Sequence, residues 1–235
     1  MTEVNAWLLI PGWGCDAGAF AAVLRCRPGL ASRTLPWEMY LEGGRPALEA
    51  TCAELGDGPL GILGWSLGAL LALEAALAWP DRFAEVVLVG GTARFCSDGE
   101  GFPGTEARVL RAMRARLRRD REAVLTDFAA ASAAPDGGET TQATWRAQAR
   151  GFATEMLARG LDALGAIDLR ERAAGLDRPV RLVHGESDAI VPWQGAAATA
   201  SILPRARLEV LPGRGHALPL AAPAEVAARL EGSDW

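Results

Sequence analysis

A chain of 235 residues, half of them hydrophobic, carries enough apolar side chain for one domain with a substantial core. A net charge of −5 argues against nucleic acid as the main partner, although all 24 basic residues are arginine. Cys15, Cys26, Cys52 and Cys96 are scattered without a Cys-x-x-Cys spacing and only two histidines accompany them, which speaks against a metal site and for reduced, structural cysteines.

The N-terminus runs into an apolar strand by Trp7 with no basic leader or cleavage site before it, and no apolar run is long enough to span a bilayer. A cytoplasmic monomer without membrane contact is therefore expected. Ala6-Trp7-Leu8-Leu9-Ile10 reads as a buried central strand, stopped by Pro11-Gly12. The glycine-flanked loop Gly12-Trp13-Gly14-Cys15-Asp16 precedes a helix over Ala17 to Leu24. A short strand at Arg33-Thr34-Leu35 leads to Pro36-Trp37-Glu38-Met39-Tyr40, and a second helix is expected from Pro46 to Leu55. Leu60-Gly61-Ile62-Leu63-Gly64 is the next buried strand, followed at once by a helix from Leu67 to Trp79. Val86-Val87-Leu88-Val89-Gly90 is another strand. Apolar strands alternating with helices through short turns predict a mostly parallel sheet covered on both faces.

The rhythm breaks after Gly91. Helical stretches are expected over Thr105–Phe128 and Thr141–Leu164, split by Ala134-Pro135-Asp136-Gly137-Gly138, with no strand between Thr92 and Gly165. An insertion of helices between two parallel strands is most simply a lid over the C-terminal strand ends. The sheet resumes at Pro179–Gly185, continues through a helix over Gln194–Leu203 to a last strand at Ala206–Leu211, and closes with a helix from Pro219 to Leu230. Residues 1–91 and 166–235 thus form the core and residues 92–165 the helical lid. There is no internal repeat or linker.

Gly64-Trp65-Ser66-Leu67-Gly68 sits where a strand turns sharply into a helix. A serine on so tight a turn needs neighbours without side chains two residues before and two after, and glycine supplies that clearance. The hydroxyl then stands clear of the sheet, with the Leu67 amide at the helix N-terminus facing any oxyanion. Acyl transfer further needs a base and a carboxylate to orient it. His216, in the loop Gly213-Arg214-Gly215-His216 after the last strand, can reach across to Ser66, whereas His184 at a strand end reads as a packed structural residue. Asp188, in the loop after the preceding strand, is the acid, with Glu186 a distant second. The second oxyanion donor is the backbone N–H of Trp13, whose side chain is also a candidate wall of the acyl pocket. The order Ser66, Asp188, His216 is the one found in α/β-hydrolases.

The helical insertion carries one charge run: Arg108, Arg111, Arg114, Arg116, Arg118, Arg119 and Arg121. Read as one helix, Arg111, Arg114, Arg118 and Arg121 share a face opposite Leu110, Met113 and Leu117. Such a run is either a solvated face or a docking stripe for an acidic partner.

The whole chain resembles the α/β-hydrolase superfamily. Gly12-Trp13-Gly14, Gly64-Trp65-Ser66-Leu67-Gly68, His184-Gly185-Glu186-Ser187-Asp188-Ala189-Ile190-Val191-Pro192 and Gly215-His216 look like the pimeloyl-ACP methyl ester esterases of biotin synthesis. The resemblance implies catalytic Ser66, Asp188 and His216, oxyanion amides at Trp13 and Leu67, and lid arginines that contact the acyl carrier protein. It implies no cofactor. Two positions depart from the pattern: Pro11 stands where relatives usually have His, and Pro36-Trp37-Glu38 lacks an Asp-x-Pro-Gly-x-Gly turn. The alternatives are a general short-chain carboxylesterase, a carbon–carbon bond hydrolase, and a non-catalytic ligand-binding relative.

Overall fold

The computed structural model describes residues 4–230. Its strands are β1 (Ala6–Ile10), β2 (Ser32–Thr34), β3 (Leu60–Trp65), β4 (Phe83–Val89), β5 (Val180–Gly185) and β6 (Ala206–Leu211). They form one sheet in the order β2-β1-β3-β4-β5-β6, every neighbouring pair parallel. The helices are α1 (Ala21–Arg25), α2 (Trp37–Ala53), α3 (Leu67–Ala78), α4 (Ala107–Leu117), α5 (Arg121–Ala133), α6 (Gly138–Ala149), α7 (Thr154–Ala166), α8 (Arg170–Ala173), α9 (Trp193–Ile202), α10 (Leu218–Ala221) and α11 (Pro223–Ala227).

β1 and β3 are buried along their whole length, the burial expected of parallel strands covered on both faces. The Trp7 ring lies over Gly61, its partner in register, where a Cβ would come within 2.6 Å of the indole. α3 is apolar except at Glu74 because it is nearly enclosed, nine of its twelve residues being buried. The chain lays down β1, pairs β2 on one side and then returns to place β3 on the other. That reversal is a topological switch point, and there the loop after β1 meets the turn after β3.

Several elements differ from the sequence expectation. The first helix opens as a 3-10 turn over Ala17–Phe20, capped by Asp16, whose Oδ1 accepts from Gly18 N–H at 2.7 Å. α2 begins at Trp37 rather than Pro46: Trp37 and Tyr40 are buried one turn apart, and the break shrinks to Gly44 at φ 53°. β4 starts at Phe83, since Glu85, which interrupts the apolar pattern, is itself only 3% exposed. The final helix divides at Pro223 into α10, α11 and a 3-10 turn over Ala228–Leu230.

The largest correction falls between β4 and β5, where the two expected helical stretches are the four helices α4–α7, followed by the short α8. Arg118–Asp120 interrupts the first stretch because the Asp120 side chain caps α5, accepting from Ala123 N–H at 3.1 Å. The second stretch is cut between Ala149 and Thr154. The expected single arginine face is therefore broken. Arg111 and Arg114 lie on α4, Arg118 is its C-terminal cap, and Arg121 opens α5. Among the described residues no helix is long and apolar enough to cross a membrane.

Candidate active site

Ser66 is the only non-glycine residue with positive φ among the described residues, at φ 57°. That conformation is sparsely populated for a side chain and persists only where the surroundings impose it. Here they do: a Cβ on Gly64 would collide with the Gly68 backbone, and one on Gly68 with the carbonyls of Ile10 and Pro11. The two glycines thus let α3 start directly against β1 and β3. Ser66 N–H donates to Val89 O at 2.9 Å, which ties the turn to the end of β4.

The loop after β6 meets this serine, and the loop after β5 meets that loop in turn. His216 Nε2 stands 2.9 Å from Ser66 Oγ, and His216 Nδ1 stands 2.7 Å from Asp188 Oδ2. The structure therefore brings Ser66, His216 and Asp188 into one hydrogen-bonded chain, with Asp188 and His216 almost fully buried. With Nδ1–H donating to the carboxylate, Nε2 is left to accept from the serine hydroxyl. Asp188 Oδ1 accepts the Ile190 and Val191 N–H groups, each at 2.8 Å. Burial alone would push the Asp188 carboxyl up, but the facing His216 and hydrogen bonds from both histidines hold it well below the usual carboxylate range.

His184 is packed and hydrogen-bonded, its Nε2 lying 2.9 Å from Val191 O. The same nitrogen lies 3.2 Å from Asp188 Oδ2, so this histidine also touches the acid. Both neighbours of Nε2 are acceptors, which assigns the proton to Nε2. Glu186 faces elsewhere and accepts Gly213 N–H at 3.1 Å. Two supporting residues go unnoticed in the sequence. Trp65 Nε1 donates to His216 O at 3.0 Å, and Gly90, at φ 55°, runs beneath the pair, where a Cβ would stand 3.3 Å from His216 Nδ1. The sole sequence signal for the second is the Gly90-Gly91 pair that ends its strand.

The Leu67 N–H opens α3 and has no intrahelical acceptor. The Gly12-Trp13 turn passes beside the serine: a Cβ on Gly12 would stand 3.2 Å from Ser66 Cβ. Cys15 N–H closes that turn onto Gly12 O at 3.0 Å. Burial, then Asp16, pushes the Cys15 thiol well up, which leaves it a poor nucleophile. The Trp13 side chain is buried against Phe128 and Trp145, with ring centroids 5.0 and 5.7 Å away, and its Nε1 donates to Leu157 O at 2.8 Å.

Among the sequence-selected arginines, Arg121 Nη2 donates to the carbonyls of Ala149 and Phe152 at 3.0 and 2.7 Å, finishing α6 rather than facing a partner. Arg114 is paired with Asp162, Arg116 with Asp127 at 2.6 Å, and Arg108 with Glu106 at 2.5 Å. Arg111, Arg118 and Arg119 are exposed, and none has an ion-pair partner among the described residues. Between α4 and α5 runs a groove of about 640 Å³ lined by Val109, Met113, Val124, Phe128, Ala131 and Ile190, with Arg108 and Arg116 also on its walls. Ile190 puts one wall two residues from Asp188, and Phe128 puts another against Trp13.

The family described as alpha/beta hydrolase fold matches residues 45–223. The pimeloyl-[acyl-carrier protein] methyl ester esterase of Aromatoleum aromaticum is 31% identical over 95% of this chain and 96% of its own. A relative named as a carbamate hydrolase, from Cronobacter turicensis, is 32% identical over 81% of this chain and 71% of its own. The solved esterase from Exiguobacterium antarcticum superposes with a TM-score of 0.85 at 18% identity, over 98% of this chain and 91% of that one, a likeness of fold. This chain belongs to the α/β-hydrolase fold family, alongside relatives named as methyl ester esterases, and is a carboxylic ester hydrolase.

Proposed function

We propose that this hydrolase is a cytoplasmic serine carboxylesterase that removes methanol from a methyl ester carried on acyl carrier protein, the pimeloyl ester named for its relative. The observation that carries the reading is the chain of hydrogen bonds from Ser66 Oγ through His216 to Asp188, at 2.9 and 2.7 Å. His216 Nε2 takes the hydroxyl proton as Ser66 attacks the ester carbonyl, and Asp188 keeps the imidazole in the required tautomer and steadies its positive charge. The N–H groups of Leu67 and Trp13 hold the oxyanion. His216 then protonates the departing methoxide, and water, activated by the same imidazole, cleaves the acyl-enzyme. Asp188, held well below the usual carboxylate range, stays ionised beside the imidazole it orients.

In this reading α4–α7 form a lid, and the apolar groove between α4 and α5 suits a tethered acyl chain, with Arg111, Arg118 and Arg119 presented to an acidic carrier. A second reading, a hydrolase of small free esters, is favoured by the pairing of Arg108, Arg114 and Arg116, which neutralises much of the charge run. Turnover of the carrier-bound methyl ester beside free p-nitrophenyl esters decides between them. A carrier ester hydrolysed no better than the free ester overturns the first reading.

A further inference from the structure

His216 lies in the short connection between β6 and α10, a segment with no ladder or helix of its own to fix it. Its neighbours on both sides are held from outside the core sheet. Gly215 N–H donates to Asp136 Oδ1 at 2.9 Å, and Ala217 N–H donates to Ser132 O at 3.0 Å. Arg214 Nη1 reaches the other Asp136 oxygen at 3.3 Å while its Nη2 pairs with Glu225 at 2.5 Å. Ser132 is in the last turn of α5, and Asp136 lies in the turn between α5 and α6, so all of these acceptors except Glu225 belong to the inserted helices. The fit admits no extra atom: a Cβ at Gly215 would collide with Ala134 O. The Asp136 side chain is only 14% exposed, which shields its bonds from exchange with water.

We propose that Asp136 is a positioning residue for His216, and that the α5–α6 junction is a fixed part of the catalytic framework rather than a removable cover. The core restrains this loop through Trp65 Nε1 on His216 O at 3.0 Å and Ser187 N–H on Arg214 O at 2.9 Å. Both act on carbonyls of the loop. Glu186 also accepts the Gly213 N–H from the core side, and Asp136 accepts the Gly215 N–H from the insertion, so the peptide leading into His216 is held from two sides. Proton transfer requires Nε2 to stay within hydrogen-bond reach of Ser66 Oγ, and a displacement of about 1 Å is enough to cost roughly a hundredfold in rate. The inference rests on His216 being the base.

The test compares Asp136→Ala and Asp136→Asn, with His216→Gln as reference, on p-nitrophenyl acetate. Asp136→Ala is expected to lower kcat about tenfold to a hundredfold with KM changed by less than about twofold. Asp136→Asn keeps an oxygen for Gly215 N–H and is expected to hold kcat within roughly threefold of the parent. The low-field proton resonance of the His216–Asp188 hydrogen bond should stay sharp in the Asn variant and broaden in the Ala variant. If Asp136→Ala does not fold, Asp136→Ser, whose hydroxyl is too short to span the gap, takes its place with the same expectation. A folded Ala or Ser variant with parental kcat and resonance, beside an inactive His216→Gln, overturns the role of Asp136 alone. Equal loss in the Asn and Ala variants also overturns it, by assigning the effect to the charge facing Arg214. Retained turnover in His216→Gln overturns the base assignment and this proposal together.

Discussion

Around β3 and α3 the backbone leaves no room, whereas in the α4–α7 insertion position is held by side chains, many of them at the surface. At Gly64 and Gly68 the obstacle to a single added carbon is main chain, which cannot step aside. In the insertion, α4 is held to α7 by Arg114–Asp162 and to α5 by Arg116–Asp127, and α5 to α6 by Arg150–Glu122, all well exposed. Exposed pairs of this kind contribute about 0–1 kcal/mol each. The Ser66 hydroxyl is thus set by packing that tolerates nothing, and the outer surface of the insertion by contacts that tolerate change. The α5–α6 junction is the exception, since it shares the close packing of the core through Gly215.

The sharpest break of this contrast removes the hydroxyl itself. Ser66→Ala should lower ester turnover by a factor on the order of 10⁴ or more and abolish fluorophosphonate labelling, with the melting curve nearly unchanged. Near-normal turnover would remove Ser66 from the mechanism. Next, Gly64→Ala should cost more than about 4 kcal/mol, because the new Cβ meets the Gly68 backbone. Arg114→Ala, which breaks an exposed pair, should cost far less. Urea unfolding of both variants measures the difference, and comparable losses would dissolve the contrast.

A third experiment probes the core through a charge. Burial pushes the Glu85 carboxyl up to about 7 despite Arg181 nearby, and its Oε1 has no hydrogen-bond partner. With the folded value raised above the ordinary 4.5, the native state holds a proton that the unfolded chain releases, so stability falls as pH rises between those values. Glu85→Gln should flatten that fall and raise stability at pH 8 by up to about 3 kcal/mol, with little change at pH 4. Chemical denaturation at the two pH values checks it; an unchanged slope means that the carboxyl is ionised in the folded protein. The smallest effect belongs to the insertion surface. Reversing Arg111, Arg118 and Arg119 to Glu together should raise KM for the carrier-bound ester about tenfold and leave a free ester nearly untouched, with raised salt reproducing part of the loss. Equal decline on both substrates would make the run a support of the insertion and favour the small-ester reading.

What the amino-acid sequence determined by itself is local and backbone-bound. Continuous apolar runs specify buried parallel strands, and glycines two residues either side of Ser66 specify a turn that nothing larger fits. The order in which Ser66, Asp188 and His216 follow three strands then specifies that they share one end of the sheet. Parallel pairing puts every strand's C-terminal end on the same side, so chain order alone carries that information. Tertiary structure decided the rest, wherever a residue's partner is remote or a weak local signal is overruled by packing. The sequence marks Gly44 and Pro46 as breakers, but burial of Trp37 and Tyr40 starts α2 earlier. A run of arginines shows charge but not which of them is paired, and Arg121 proves to finish α6, 28 residues away. Asp136 is 79 residues from Gly215, and no periodicity connects them. His184 reads as a packed residue from its strand, yet its contact with Asp188 exists only because the loop after β5 folds back over that strand's own end. Local geometry repeats along the chain and leaves a pattern, whereas a contact made by folding depends on two distant residues at once and leaves none.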